Sequence, residues 1–264
     1  MSDAIVRRLR RRHPFAEWTP VTVGLSGARV WRVAGRGRTL YVKVADDPAA
    51  LRAEAERSAW LRKAGIGAPE AVEGGERDGS GWLVTAAVPG RTLAEAWPAH
   101  LRAPAVAAFA RLARRLHDLP VEDCPFDRGL AVTVPRARAA TAAGRVDSGA
   151  FEPERRGRAP EDVLAELEAA VPATEDRVVC HGDLCLPNVL VDPDTLEWTG
   201  VVDTARVGVA DRNHDLGLAC RSLGDTRLNP DFGPAFVRAF LHHYGEQHVD
   251  PDRMAFYRLL DEFF

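Results

Sequence analysis

Short runs of β-branched and aromatic residues dominate the first third of the chain and predict strands. These runs cover residues 21–33, 39–44 and 81–88. A Gly/Ser break inside the first run predicts a hairpin-like loop. An Ala/Glu/Arg-rich stretch at 48–64 predicts a helix that ends before Gly65, and Pro89-Gly90 marks the end of this β-rich part.

Beyond residue 90 the apolar residues recur with a helical period. In 103–119, Val106, Phe109, Leu112 and Leu116 fall on one face, with arginines opposite. Further helices are predicted at 162–170, 215–224 and over most of 234–263, and short strands at 177–180, 189–191 and 198–202. The C-terminal part is therefore predicted to be mainly helical.

Together the two patterns predict an α+β fold with two lobes. A length of 264 residues is sufficient for such an arrangement to bury a full core. The predicted organisation is a small β-rich N-terminal lobe at 1–84, a hinge at 85–90 and a larger α-rich C-terminal lobe at 91–264.

The composition excludes several classes of protein. With 35 basic and 38 acidic side chains, the net charge of −3 lacks the basic excess of a nucleic-acid-binding protein. No stretch approaches the roughly 18 apolar residues that cross a bilayer. The arginine-rich N-terminus is not followed by an apolar signal core, so we expect a cytoplasmic protein that binds neither nucleic acid nor membrane. Nothing in the sequence implies an obligate protein partner.

The four cysteines favour reduced thiols over a disulfide framework. Cys180-His181 followed by Cys185 leaves a metal-thiolate site open as an alternative, although no second Cys/His pair has the spacing of zinc ligands.

The strongest chemical signal is the segment His181-Gly-Asp-Leu-Cys-Leu-Pro-Asn188, followed fifteen residues after Asn188 by Asp203 at the end of a β run. Mg²⁺ prefers such oxygen ligands. The order of Asp183, Asn188 and Asp203 matches the base and the two metal ligands of kinases. Each residue alone is also typical of a turn or a strand end. The three at this spacing predict phosphoryl transfer.

Two features of the N-terminal part support this prediction. The chain uses arginine almost everywhere, and its two lysines are Lys43 and Lys63. Lys43 lies within an apolar strand, where a compact ammonium group can contact phosphate oxygens. Glu54 or Glu56 on the following helix could pair with it; the alternative is a surface lysine. The small residues at 24–28 could approach phosphates closely, or could simply form a hairpin turn.

At these residues the sequence closely resembles the aminoglycoside 3′-phosphotransferases, antibiotic-resistance kinases with a protein-kinase-like fold. The resemblance extends from Gly24 to Phe264. It is most specific in 179–190, in 200–212 and in the C-terminal Leu-Leu-Asp-Glu-Phe-Phe segment. It implies phosphorylation of the 3′-hydroxyl of kanamycin- or neomycin-type antibiotics, with ATP and Mg²⁺ as cofactors.

The resemblance also implies a role for individual residues. Asp183 would be the catalytic aspartate, Asn188 and Asp203 would bind Mg²⁺, and Lys43 paired with Glu54 would contact the phosphates. The remaining nucleotide-binding residues would be Ser26 over the phosphates, Tyr41 stacked on adenine, and the backbone of Thr85 to Ala87. The antibiotic would be bound by Arg206, Arg221, Asp225, Asp261, Glu262 and Phe264, together with Glu154.

Departures from protein kinases narrow the substrate. Gly182 precedes Asp183 where protein kinases have arginine, and Thr204-Ala-Arg206 replaces Phe-Gly, so a protein substrate and an activation-loop switch are both disfavoured. Residues 181–264 carry fourteen acids against seven arginines, which suits a polycationic substrate. Asp261 and Glu262 could also be only a solvated tail. The alternatives are a kinase for choline, another sugar-amine or a macrolide, and a non-catalytic pseudokinase.

Overall fold

A computed structural model describes residues 2–21, 28–35 and 37–264 of the chain. The predicted phosphate loop at 24–28, including Ser26, lies almost entirely outside these residues. The described chain divides into two compact units. The first comprises Met1–Glu95 and Pro187–Ala205, and the second comprises Ala96–Leu186 and Arg206–Phe264.

A five-stranded antiparallel sheet forms most of the first unit. Its strands are β1 (Glu17–Val21), β2 (Arg29–Gly35), β3 (Arg38–Ala45), β4 (Glu70–Arg77) and β5 (Ser80–Ala86), in the spatial order β1-β2-β3-β5-β4. β3 and β5 confirm the predicted runs at 39–44 and 81–88, and β2 confirms the part of the run at 21–33 that the structure describes beyond its Gly/Ser break. β4 escaped the sequence analysis because its residues, Glu-Ala-Val-Glu-Gly-Gly-Glu-Arg, are mostly polar and exposed.

The two faces of this sheet carry different kinds of side chain. Along β3 the side chains of Leu40, Val42 and Val44 are buried in one apolar cluster, which also contains Ile5, Val6 and Leu9 of helix α1 (Ser2–Arg12). Because side chains alternate along a strand, Tyr41 and Lys43 lie on the opposite face. Helix α2 (Pro48–Lys63) contributes Glu54 to that face. The sheet therefore separates the apolar core from a charged surface.

Helix α2 has the ends that the sequence predicts. Asp47 caps its N-terminus by accepting hydrogen bonds from the backbone N–H groups of Ala49 and Ala50, at 2.9 and 3.2 Å. Gly65, with φ of 81°, follows the last helical turn in the left-handed conformation that favours glycine.

A second, three-stranded sheet completes the first unit. Its strands are β6 (Arg91–Thr92), β8 (Val189–Val191) and β9 (Trp198–Val201), in the order β6-β8-β9. The first unit thus extends past the hinge predicted at 85–90 and takes in residues 187–205, which the sequence analysis placed with the C-terminal lobe.

The second unit is mainly helical, and the α+β class is confirmed. Its helices are α3 (Ala99–His117), α4 (Leu130–Ala142), α5 (Pro160–Ala169), α6 (Arg212–Gly224), α7 (Pro234–Tyr244) and α8 (Pro251–Asp261), and strands β7 (Arg177–Cys180) and β10 (Gly208–Asp211) form an antiparallel pair. Helices α4, α5 and α8 share an apolar core with Phe151 and Phe263. No helix among the described residues has the length and apolar character needed to cross a bilayer.

Candidate active site

Lys43 lies between two carboxylates in the first unit. Its Nζ atom is 2.8 Å and 3.0 Å from the two carboxylate oxygens of Glu54 and 3.1 Å from Oδ1 of Asp203. The side chains of Lys43 and Glu54 are only 17% and 10% exposed, whereas that of Asp203 is 39% exposed. The pairing of Lys43 with Glu54 matches the prediction, and residues 160 positions apart meet at one point.

The electrostatics of this triad keep the lysine charged. Burial disfavours the ammonium form of Lys43, but the charges of Glu54 and Asp203 outweigh it and raise the pKa of Lys43. For Glu54 burial is the larger effect and raises the pKa of its carboxyl group despite the ion pair with Lys43. The ammonium group is therefore held as a fixed positive charge, the state that a phosphate contact requires.

Asp203 follows β9 in an unusual backbone conformation. Its φ of 58° lies in the left-handed region, which is uncommon for a residue other than glycine. The 3-10 turn Thr204–Arg206 begins at the next residue, and the Thr204 hydroxyl group donates a 3.1 Å hydrogen bond to the carbonyl oxygen of Glu54. Residues on either side of Asp203 are thus held by β9 and by α2.

Asn188 lies at the end of the β8–β9 ladder, opposite Val202, the residue before Asp203. It ends the 3-10 turn Leu186–Asn188, is 7% exposed, and accepts a 2.9 Å hydrogen bond at its carbonyl oxygen from the N–H of Val202. The side chains of Asn188 and Asp203 offer an amide and a carboxylate oxygen, the donors that Mg²⁺ prefers. This donor set fits the predicted metal site.

Asp183 lies in a tight turn after β7 in the second unit. The preceding Gly182 has φ of 80°, and a Cβ atom there would come within 2.4 Å of the carbonyl oxygen of Arg206, so the turn requires glycine. The N–H of Asp183 donates to Nδ1 of His181 at 3.3 Å, and its carbonyl oxygen accepts a hydrogen bond from the N–H of Cys185 at 3.0 Å.

The carboxylate of Asp215 supports this turn through hydrogen bonds, and the sequence analysis did not identify this residue. Its carboxylate accepts hydrogen bonds from the N–H groups of His181 and Gly182, at 2.7 and 2.8 Å, and lies 3.2 Å from Nε2 of His117. Burial opposes its negative charge, but the hydrogen bond and charge of His117 outweigh burial and lower the pKa of Asp215. In the sequence Asp215 stands between His214 and Leu216 near the start of α6, and no motif spacing marked it.

The predicted adenine-binding residues lie on neighbouring strands. Tyr41 pairs with Thr85 in the β3–β5 ladder, and the N–H of Ala87 donates a 3.1 Å hydrogen bond to the carbonyl oxygen of Thr39. A separate cleft of about 430 Å³ adjoins the hinge, lined by Arg62, Gly65, Ile66, Gly67, Ala68, Glu70, Ala86, Ala87, Val88, Pro89 and Thr199. The lining includes Ala86 and Ala87 of the predicted adenine-binding backbone but none of Lys43, Asn188 and Asp203, so this cleft is not the candidate phosphoryl-transfer site.

The predicted antibiotic-binding residues form an ion-pair network in the second unit. Asp261 accepts hydrogen bonds from Arg206 at 2.8 Å and from Arg221 at 2.7 Å. Burial disfavours its charge, but the two guanidinium groups outweigh burial and lower the pKa of Asp261. Glu152, which the sequence analysis did not identify, joins this network through Arg221 at 3.4 Å and Arg258 at 3.1 Å.

Glu262 lies in the same network, so the alternative of a solvated tail is wrong. The side chains of Asp261 and Glu262 are only 10% and 4% exposed. Glu262 accepts hydrogen bonds from the N–H of Glu152 at 3.1 and 3.2 Å, and burial raises the pKa of its carboxyl group. The sequence could not show these partners, because they lie more than a hundred positions away.

The other predicted binding residues are nearer solvent. The ring of Phe264 lies against the guanidinium groups of Arg128 and Arg206, at 5.3 and 5.8 Å from its centroid. Asp225 follows α6 and forms an ion pair with Arg227 at 2.9 Å. Glu154 is exposed.

The metal-thiolate alternative joined Cys180 to His181 and Cys185, and the structure places Cys180 in a different group of side chains. Cys180 is fully buried, burial raises the pKa of its thiol well above the usual value, and its Sγ atom lies 3.3 Å from the carbonyl oxygen of Asp211. It lies near His117 and Asp215 rather than in one group with His181 and Cys185. His117 and Asp215 are hydrogen-bonded to each other, and Nδ1 of His117 lies 2.7 Å from the hydroxyl oxygen of Tyr244.

Comparison with known proteins identifies the family. A family model described as the phosphotransferase enzyme family matches residues 17–257. An aminoglycoside 3′-phosphotransferase from Streptomyces fradiae is 48% identical, over 97% of this chain and 98% of its own length. The crystal structure of an aminoglycoside-3′-phosphotransferase of type VIII superposes with a TM-score of 0.93 at 51% identity and covers 99% of this chain and 98% of that one.

This chain belongs to the aminoglycoside 3′-phosphotransferase family. The resemblance inferred from the sequence is confirmed, and the protein is an enzyme, a kinase that acts on a hydroxyl group. The aminoglycoside phosphotransferase APH(3″)-Id from Streptomyces rimosus, solved in complex with ADP and streptomycin, is also similar. It superposes with a TM-score of 0.81 at 36% identity and covers 99% of this chain and 97% of its own.

Proposed function

We propose that this phosphotransferase transfers the γ-phosphoryl group of ATP to the 3′-hydroxyl of kanamycin- or neomycin-type aminoglycosides and so confers resistance to them. The observation that carries the proposal is the Lys43–Glu54–Asp203 triad, in which a buried lysine with a raised pKa stands beside a carboxylate suited to Mg²⁺. A phosphoryl-transfer site needs this combination of fixed positive charge and metal ligands.

On the nucleotide side, Lys43 would contact the α- and β-phosphates while Glu54 holds it in place. Asn188 and Asp203 would bind the Mg²⁺ ion, which neutralises developing charge on the phosphate oxygens. Tyr41 would stack on the adenine ring, and the backbone of Thr85 to Ala87 would hydrogen-bond its edge. Ser26 would cover the phosphates.

On the acceptor side, Asp183 would orient the substrate hydroxyl group and accept its proton. Phosphoryl transfer depends mostly on positioning. The two backbone hydrogen bonds to Asp215 support this role, because they fix the peptide groups that precede Asp183.

The ammonium groups of the antibiotic would be held by the acidic residues of the second unit. Glu154 and Asp225 present carboxylates near solvent, and Asp225 would exchange Arg227 for a substrate ammonium group. Asp261 already shares its charge with Arg206 and Arg221, and Glu262 is buried. These four residues and Phe264 would therefore shape the pocket, whereas Glu154 and Asp225 would supply most of its open negative charge.

The position of phosphorylation has one competing candidate. The relatives at 48% and 51% identity are named 3′-phosphotransferases, whereas the 36%-identical Streptomyces rimosus enzyme is a 3″-phosphotransferase solved with streptomycin. The higher identity favours the 3′-hydroxyl.

A direct assay separates these candidates. The purified protein with Mg²⁺ and either ATP or GTP is offered kanamycin, neomycin, streptomycin, choline and erythromycin, and nucleoside diphosphate release is followed. We expect turnover with ATP and with kanamycin and neomycin, and a phosphate on the 3′-oxygen by two-dimensional NMR of the product. Turnover of streptomycin alone would favour the 3″ alternative. Turnover of choline or erythromycin alone would overturn the proposal.

A further inference from the structure

A pair of buried hydroxyl groups connects α2 to the residue after Asp203. Ser58 and Thr204 are 2% and 0% exposed, and their hydroxyl oxygens lie 2.7 Å apart. The Thr204 hydroxyl group donates to the carbonyl oxygen of Glu54 at 3.1 Å. Because a carbonyl oxygen can only accept, the single Thr204 proton is committed to it, and the Ser58 hydroxyl group must donate to Thr204. We name this chain, from Ser58 through Thr204 to the Glu54 carbonyl oxygen, the hydroxyl bridge.

The hydroxyl bridge joins the same two elements as the charged triad. Lys43 connects the side chains of Glu54 and Asp203 through ion pairs. The bridge connects the main chain of Glu54 to the residue directly after Asp203 without using any charge. Glu54 and Asp203 are therefore linked twice, once through Lys43 and once through Thr204.

The two links respond differently to a bound nucleotide. In the proposed function Lys43 would contact the phosphates and Asp203 would bind Mg²⁺, so the 3.1 Å contact between them would be exchanged for contacts with the ligand. The hydroxyl bridge contains no group that the ligand needs. It can hold Asp203 near α2 while the charged contact is replaced.

The backbone at Asp203 makes such a support necessary. A φ of 58° at a residue other than glycine is unfavourable and persists only where neighbouring contacts impose it. On the N-terminal side the N–H of Val202 donates to Asn188, and on the C-terminal side the Thr204 side chain is held by α2.

We propose, as a deepening of the proposed function on which it rests, that Ser58 and Thr204 are positioning residues that hold Asp203 in its metal-binding orientation. The segment after Asp203 has no room for an activation loop, since residues 204–211 are occupied by the 3-10 turn and β10, and α6 begins at Arg212. The hydroxyl bridge fixes the relation of α2 to Asp203 in the fold itself. No covalent modification of an activation loop is needed to position α2 relative to Asp203.

The test replaces the Thr204 hydroxyl group by a methyl group of similar size. In Thr204→Val the Glu54 carbonyl oxygen and the Ser58 hydroxyl group lose their partner, while Thr204→Ser keeps the hydroxyl group. The matched control is Thr133→Val, because Thr133 is also 0% exposed and donates a 3.1 Å hydrogen bond to a carbonyl oxygen, that of Gly129, in the second unit.

Two measurements report on positioning without needing the acceptor sugar. Calorimetric titration with MgADP should show affinity reduced about tenfold in Thr204→Val, the lower end of what loss of a residue supporting a metal ligand costs. Hydrogen exchange of the ligand-free protein should be faster in the 48–63 peptide. Thr204→Ser should restore both, and Thr133→Val should change neither, even where its melting temperature falls as much.

Steady-state kinetics separate an effect on nucleotide binding from an effect on acceptor binding. The KM for MgATP and the Mg²⁺ concentration at half-maximal rate should rise in Thr204→Val, while the KM for the aminoglycoside stays unchanged. The proposal is overturned if Thr204→Val lowers only the melting temperature and keeps the MgADP affinity and the 48–63 hydrogen exchange of the wild type. Failure of the proposed function would instead appear as an inactive wild-type protein, and the MgADP and exchange measurements would still decide the role of the bridge.

Discussion

At the scale of single residues, a rare residue type could be identified as functional from the sequence, whereas common residue types that act through burial could not. Lys43 stood out because the chain uses almost no lysine, and the structure places it between Glu54 and Asp203. Asp215 and Glu152 did not stand out, since acids are common in this sequence. Their importance comes from burial and from partners brought together by folding, such as the N–H groups that Asp215 accepts.

His214 provides a pH-dependent prediction at this scale. It is buried against Tyr257, with ring centroids 5.4 Å apart, and burial lowers its pKa. The unfolded chain therefore binds a proton below the ordinary histidine pKa of 6.5 while the folded chain does not, so stability falls as pH falls. One such group lowers the free energy of unfolding by about 1.4 kcal/mol per pH unit in this window.

The measurement is urea unfolding of the wild type and of His214→Phe between pH 7 and pH 5. We expect a shallower loss of stability in the variant. His242→Gln is the control, because His242 is 76% exposed, and it should follow the wild type. Equal slopes for all three proteins would show that His214 does not stay neutral in the folded state.

At the scale of elements, strand and helix patterns were predictable wherever one face is buried. β3 alternates buried and half-buried side chains, and α2 ends where Gly65 predicts. β4 is mostly exposed, so it lacks the apolar pattern that identified the other strands. α1 does carry a short apolar stripe of Ile5, Val6 and Leu9 with arginines opposite, and the sequence analysis overlooked it. The boundary of the first unit could not be read from the chain, because β8 and β9 join it from residues 187–205.

The prediction at this scale concerns the turn after β7, whose N–H groups are bound by Asp215 of α6. Asp215→Asn should reduce kcat because an amide offers one acceptor oxygen where the turn presents two N–H groups, and one buried N–H loses its partner. The stability cost should be about 1–3 kcal/mol. Asp192→Asn is the control, since Asp192 accepts hydrogen bonds from two N–H groups at 2.9 Å in an exposed turn. Steady-state kinetics and thermal melting of both variants test this, and unchanged kcat in Asp215→Asn would contradict it.

At the scale of the whole molecule, the sequence predicts two chemically different parts, and the structure divides the candidate residues between two compact units. Lys43, Glu54, Asn188 and Asp203 belong to the first unit, and Asp183 and the network around Asp261 belong to the second. An excess of acids in 181–264 was visible in the sequence, but the arginine partners of Asp261 and Glu262 were not. Neutralising these two acids would therefore disturb a buried network, and it is a poor probe of substrate binding.

A cleaner probe compares one residue from each unit. Tyr41→Ala should raise the KM for MgATP and leave the KM for kanamycin unchanged. Phe264→Ala removes a ring that lies on Arg128 and Arg206, and it should raise the KM for kanamycin without changing that for MgATP. Loss of one aromatic contact of this kind corresponds to about a three- to tenfold change in KM.

Phe15→Ala is the matched control, because Phe15 is 81% exposed and belongs to no predicted site, and both of its KM values should equal those of the wild type. Michaelis–Menten titration of each substrate at saturating concentration of the other measures all three variants. Opposite selectivity of Tyr41→Ala and Phe264→Ala would establish that nucleotide and antibiotic are bound by different units. A parallel rise of both KM values in either variant would contradict that division, because it would mean that the altered side chain supports the fold or the chemistry rather than one ligand.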